Sequence, residues 1–239
     1  EVQHGKIASF AAKPFAHGVG SGAHVHFSLW DLAGERNLLH DPEAGDRILS
    51  TIGRSFLAGV LEHLPALIAL TCPSHNSYER LQPGAWAGST VSWGMDNREA
   101  TMRVASPFRG REEESINLEL KACDSSCNPY LALGGLIHAG LDGVRRGLVP
   151  PEPARRDPAR MTDEERARCG IRPLPATMQE GLAALAADPV LFPALGELLG
   201  RAILALRGAE AEALDAMSPD RKSTRLNSSH VKRSRMPSS

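Results

Sequence analysis

The chain has 239 residues, a formal net charge of −1, and 42% hydrophobic but only 5% aromatic residues. That size suits one large or two small globular domains. The near-neutral charge and scarce aromatics argue against nucleic acid as a partner, by basic patch or by base stacking, and no uninterrupted apolar run reaches the roughly 18 residues of a membrane span.

The chain opens Glu1-Val2-Gln3-His4-Gly5, with neither Met nor an apolar leader, and reads as a start in mid-protein. Its four cysteines are Cys72, Cys123, Cys127 and Cys169. Cys123 and Cys127 could begin a metal pair, but no second pair stands at zinc-ligand spacing. Free thiols in a reducing cytoplasm are expected.

Gly5 to Phe15 reads as a strand ended by Pro14, followed after a glycine-rich turn by Ala23 to Trp30, as an antiparallel hairpin. This second strand alternates. Ala23, Val25, Phe27 and Leu29 share one face, and His24, His26, Ser28 and Trp30 the other. Two imidazoles and a hydroxyl opposite a clean apolar face point to chemistry; the plainer reading is a half-buried strand with solvent-facing histidines.

Asp31 to Asp46 is a polar loop. Ile48 to Leu70 has helical spacing, with Pro65 expected to kink or split it and Cys72-Pro73-Ser74 to end it. His75 to Trp86 reads as loop, with a turn at Pro83-Gly84. Strands are expected over Ser89–Gly94 and Arg98–Ala105, joined by the elbow Asp96-Asn97, and a charged loop over Phe108–Glu114. Ile116 to Lys121 alternates again: Ile116, Leu118 and Leu120 face one way, Asn117, Glu119 and Lys121 the other. A carboxylate and an ammonium two apart on one strand face are a second chemical signal; taken alone, the plainer reading is a solvated face.

Asn128-Pro129 opens a helix running to about Gly147, with Asn as cap and Pro in the first turn. Its small residues Ala132, Gly134, Gly135, Ala139 and Gly140 predict close packing against a neighbour. Pro150 to Pro158 reads as a linker, and Thr162 to Glu165 as a capping box for a short helix ending near Gly170. Residues 176–217 carry two or three amphipathic helices. Residues 218–239 read as a separate, disordered basic tail, which the break in pattern marks as foreign or read-through sequence.

Four segments, in order, resemble the catalytic domain of the glutamine synthetase family. They are Gly20-Ser21-Gly22-Ala23-His24-Val25-His26, Asn76 to Gly84 (Asn-Ser-Tyr-Glu-Arg-Leu-Gln-Pro-Gly), Asn97-Arg98 with Arg103, and Asn128-Pro129-Tyr130-Leu131-Ala132. The resemblance covers residues 4–217. It implies an α+β fold in which a curved antiparallel sheet forms half of the family's barrel, with helices outside, and the N-terminal β-grasp domain absent. Residues 1–217 would be the C-terminal part of the catalytic domain, inactive alone, from a protein that assembles as a homo-oligomeric double ring.

The resemblance also implies roles. His24 and Glu119 would ligate Mg²⁺ or Mn²⁺. His26 and Ser28 would lie against ATP. Gly20 would lie against glutamate, with Arg80 and Arg98 holding its carboxylate and the phosphates, and Arg103 neutralising the transferring phosphoryl group. Lys121 would touch substrate where the family usually has Arg. The reaction implied is ATP-dependent ligation of an amine to the γ-carboxylate of glutamate through an acyl phosphate. Two departures stand out. Trp86 occupies the position of the family's Glu that deprotonates ammonium; an indole accepts no proton but could stack on a larger amine. Asn117 replaces an expected Arg. Both resemble the divergent branch beside the γ-glutamyl-amine ligases. They also motivate an alternative, a non-catalytic relative kept for regulation or assembly. A zinc hydrolase built on His24 and His26 is a weaker one.

Overall fold

The structure, a computed structural model, describes residues 9–15, 18–43, 49–83 and 87–217. The expected basic tail, Trp86, and the first four residues of the first predicted strand lie outside those residues. Ser9 to Phe15 carries no strand, although the Ala12 carbonyl accepts the Ser21 N–H at 2.8 Å and keeps the two segments adjacent.

Helix α1 (Thr51–Thr71) starts where the Ser50 hydroxyl accepts the Gly53 N–H, and it ends at Cys72, before Pro73. It runs unbroken through Pro65, so the expected split does not occur. Burial of Leu61, Leu64, Leu67 and Ile68 around that position offsets the backbone bond that proline removes. By length and mean hydropathy, 1.2, α1 could span a bilayer, but 78% of that stretch is buried inside the fold. It is the core helix, and Arg54, Glu62 and His63 interrupt its apolar run.

Strands β1 (Val25–Phe27), β2 (Thr90–Val91), β3 (Trp93–Met95), β4 (Met102–Ala105), β5 (Asn117–Leu120) and β6 (Arg172–Pro173) form two open sheets. One has the order β1-β5-β4-β3; the other is the ribbon β2-β6. Leu118, Leu120, Met102 and Val104 are fully buried on one face of the larger sheet. There the Phe27 ring meets Phe56 of α1, with centroids 5.6 Å apart.

The larger sheet is not antiparallel throughout, as the sequence predicted. β5 pairs antiparallel with β1 and β4, but β3 and β4 run parallel. The reason is the elbow. Asp96 takes a left-handed φ of 51°, its carboxylate accepts the Ser106 N–H and hydroxyl, and the Asn97 amide donates to the carbonyls of Ala154 and Arg156. The chain is pulled out of the sheet and re-enters in the same direction. The same contacts correct a second expectation. Pro150 to Pro158 is a strap, held also by Trp93 Nε1 on the Pro151 carbonyl, 2.9 Å.

His75–Arg80 forms helix α2 where a loop was expected, with the Ser74 N–H donating to Ser77 Oγ. Glu112–Ser115 is the short helix α3, which begins in the predicted charged loop and ends one residue past it. Helix α4 (Pro129–Arg146) follows its sequence signals. Asn128 Oδ1 caps the Tyr130 N–H, Arg145 and Arg146 sit in the last turn, and Gly147 closes it in the left-handed region. α4 lies against α1 at very short range. A Cβ on Gly143 would fall 2.1 Å from the Ser55 carbonyl oxygen, and one on Gly59 2.3 Å from that of Ala139. Helix α5 (Asp163–Arg168) has the expected capping box, and α6 (Met178–Ala187), α7 (Leu191–Leu195) and α8 (Glu197–Asp215) complete the outer layer.

Candidate active site

Strand register builds the site. His26 of β1 lies opposite Glu119 of β5, and Arg103 of β4 lies opposite Glu119 on its other side. Since side chains alternate, these residues stand on the face away from α1. Glu119 Oε1 takes His24 Nδ1 at 2.6 Å and faces His26 Nε2 at 3.4 Å, while Arg103 Nε lies 2.9 Å from Oε2. The carboxylate side chain is 3% exposed, against 41% and 49% for the two imidazoles. The acid is therefore the floor of the site and the bases are its rim, which corrects the solvated face read from the strand alone.

Burial pushes the Glu119 carboxyl up, but the His24 hydrogen bond and the charges of Arg103, His24 and His26 outweigh it and hold it below the usual carboxylate range. The Arg103 contact is one of charge. Glu119 Oε2 receives no hydrogen bond in this geometry. A buried carboxylate with one oxygen lacking a donor and the other meeting an imidazole offers the oxygen and nitrogen that a divalent cation would use. His24 and Glu119 thus fit such an ion as one nitrogen and one oxygen ligand. Among the described residues no set of three His, Cys, Asp or Glu side chains is arranged to hold a metal, so further donors would have to come from elsewhere.

Asn117, read in the sequence as a replaced Arg on the polar face of the strand, has a defined task. Its Nδ2 donates to the Ser115 carbonyl at 2.9 Å, which turns Oδ1 toward His26 Nδ1 at 2.8 Å. Because Oδ1 only accepts, Nδ1 of His26 carries a proton toward it, and Nε2 faces Glu119. The alternation of Asn117 with Glu119 was the signal available for this partnership. Further along β1's polar side, Ser28 Oγ accepts the Trp30 indole N–H at 2.8 Å.

Lys121 is buried, and its ammonium donates to the Arg98 carbonyl. Burial lowers its pKa; Glu119 and Glu99 oppose the shift, and Arg103 and Arg98 add to it. The Arg98 side chain is exposed at the elbow. Glu119, Arg103, Lys121 and Arg98 therefore form one electrostatic neighbourhood around the sheet's polar face.

Arg80 is placed differently. It is 4% exposed, with its guanidinium donating to the Cys123 carbonyl at 2.8 Å and lying 3.8 Å from Cys72 Sγ. Gly20 and Gly22 close over it: a Cβ on either would come within 2.6 or 2.7 Å of Arg80 atoms. The Cys123 carbonyl also accepts the Ala23 N–H at 3.0 Å. Arg80 thus supports, from beneath, the turn that leads into His24. Trp86 lies outside the described residues.

A family model described as glutamine synthetase, catalytic domain, matches residues 2–225. The chain is 41% identical over 92% of its length to a γ-glutamylpolyamine synthetase of Streptomyces coelicolor, covering 46% of that protein. It is 43% identical over 82% of its length to a glutamine synthetase of Thermus thermophilus, covering 42% of it. Among solved structures, apo GmaS without ligand superimposes with a TM-score of 0.77 at 31% identity, covering 92% of this chain and 48% of that one. A GmaS/ADP complex does so with a TM-score of 0.76 at 31% identity, covering 94% and 50%. The chain spans about half the length of the curated relatives it matches. From the ordered motifs, the open α+β architecture and these likenesses, the chain belongs to the glutamine synthetase catalytic-domain family.

Proposed function

We propose that the protein carrying this chain is an ATP-dependent carboxylate–amine ligase that joins an amine to the γ-carboxylate of glutamate through γ-glutamyl phosphate. The observation that carries this reading is the row His26–Glu119–Arg103 across three strands, with His24 hydrogen-bonded to the same carboxylate. Phosphoryl transfer needs positioned charge more than covalent chemistry. Mg²⁺ or Mn²⁺ on His24 and Glu119 would neutralise phosphate oxygens. Arg103 and Arg98 supply cations beside it, and Lys121 holds the glutamate with a point charge where a fork is usual. His26, with its Nδ1 held by Asn117, and Ser28 lie against ATP. Arg80 keeps Gly20 at a fixed height, so that glutamate lies directly on the backbone there.

The amine is the finer part of the proposal. Trp86 supplies no base, so a larger amine that stacks on the indole suits the site better than ammonium, in line with the likeness to a γ-glutamylpolyamine synthetase. The rest of the reading is the family's: a barrel completed by segments that relatives have in their other half, a double ring of subunits, and a reducing cytoplasm as the compartment. The test uses the full-length protein. Phosphate release from ATP is followed with glutamate and a panel of amines, for wild type and Trp86→Glu. Poor use of ammonium that Trp86→Glu improves supports the reading; no turnover with any amine in either protein sinks it and leaves a non-catalytic role.

A further inference from the structure

The loop between β5 and α4 holds two cysteines that the ligase chemistry does not use. Cys123 Sγ and Cys127 Sγ lie 3.8 Å apart, in van der Waals contact, and all four cysteines are free. A turn brings them together: the Cys127 N–H donates to the Asp124 carbonyl at 3.2 Å, and the Ser126 N–H to Asp124 Oδ1 at 3.0 Å. The two thiols differ in access, for Cys123 is 2% exposed while Cys127 is partly open to solvent. They differ in acidity too. The contact with Cys123 lowers the Cys127 pKa against the effect of burial, and the same contact and burial raise that of Cys123. Reaction depends on the thiolate, so Cys127 is the attacking sulfur. The other two thiols do not compete. Cys72 is fully buried against Arg80, and Cys169 is buried against the Pro153 carbonyl.

We propose that Cys123 and Cys127 are a modification site: a dithiol that closes to a disulfide on meeting a small-molecule disulfide of the glutathione type. Cys127 thiolate attacks one sulfur of the reagent, whose S–S bond breaks; the departing thiolate takes a proton, leaving a mixed disulfide on Cys127. Cys123, giving up its proton, then attacks Cys127 Sγ and expels the second thiol. Two protein S–H bonds and one reagent S–S bond are exchanged for one protein S–S bond and two reagent thiols. The protein is oxidised by two electrons and the reagent reduced by two.

Closure brings the sulfurs from 3.8 Å to a bond of about 2.05 Å. The displacement is felt at Cys123, whose carbonyl holds both the Ala23 N–H and the Arg80 guanidinium. Oxidation therefore loosens the turn from Gly20 to Ala23. The proposal stands apart from the ligase reading, since it needs only this loop.

The experiment treats the native full chain with glutathione disulfide and reads intact mass, the tryptic peptide that follows Lys121, and hydrogen exchange at Ala23. Wild type should lose about 2 Da, retain no glutathione, and regain its mass with a reducing thiol. Cys123→Ser should keep one glutathione on Cys127, and Cys127→Ser should stay unreacted. Exchange at the Ala23 amide should rise on oxidation of wild type. A retained adduct on wild type, a bridge to Cys72 or Cys169, or no reaction would overturn the site. Unchanged exchange at Ala23 in the oxidised chain would overturn its link to the turn. The wild-type readings need no variant to fold.

Discussion

His63 of α1 is buried between Asp142 Oδ2, 3.0 Å from Nε2, and Asp188 Oδ2, 2.8 Å from Nδ1. Its side chain is 2% exposed, and those of the aspartates 15% and 9%. Both ring nitrogens face acceptors, so the arrangement needs the imidazolium; a neutral ring has one N–H and leaves one carboxylate without its donor. Burial alone would lower the pKa of His63, but the Asp188 and Asp142 hydrogen bonds outweigh it and raise it above 6.5. His63→Leu keeps the volume and removes both donors. Stripping one partner from a buried ion pair costs about 3–5 kcal/mol. Here Asp188 keeps the Val190 and Leu191 amides and Asp142 keeps Arg146, so the lower end, about 3 kcal/mol, applies. For a domain of this size that is a melting temperature lower by roughly 6–12 °C. The sign with pH follows from the raised pKa: the contribution is complete below the unfolded value and is lost as pH rises through the folded one. Thermal melting by circular dichroism across pH 5 to roughly 9 should bring the two curves together as pH rises. Parallel curves, or a loss under about 1 kcal/mol at low pH, would refute the reasoning.

Three further outcomes follow from close contacts. Gly143→Ala drives a Cβ into the Ser55 carbonyl and should cost about 1–3 kcal/mol in denaturant unfolding. Gly134→Ala, on the same helix with open space around it, should instead stabilise by about 0.4–1 kcal/mol. Asn117→Ala removes the only acceptor bonded to His26 Nδ1 among the described residues; nitrogen NMR should show the His26 Nδ1 resonance shift as that hydrogen bond is lost, and an unchanged spectrum would mean that Asn117 does not hold the ring.

Much of this was legible in the sequence for local reasons. The alternation of β5 placed Leu118 and Leu120 in the core, and Asn128-Pro129 with Gly147 bounded α4, because caps and period-two patterns are written in neighbouring residues. What was hidden depends on partners distant in the chain. The polar face of β5 reads the same whether it is wet or roofed by His24, His26 and Arg103, so Glu119's burial could not be seen. Asp96-Asn97 looks like a hairpin elbow; only the strap at Ala154 and Arg156 turns it into a parallel return. Arg80 carries the family's motif, yet its burial follows from Gly20 and Gly22 closing over it.

The most direct measurement of the central claim is amine-stimulated phosphate release from ATP and glutamate by the full-length protein, wild type against Glu119→Gln. The account predicts stimulation in wild type and a fall of at least about a hundredfold in the variant, since the buried charge that gathers His24, His26 and Arg103 is gone. Equal rates in the two proteins would contradict it.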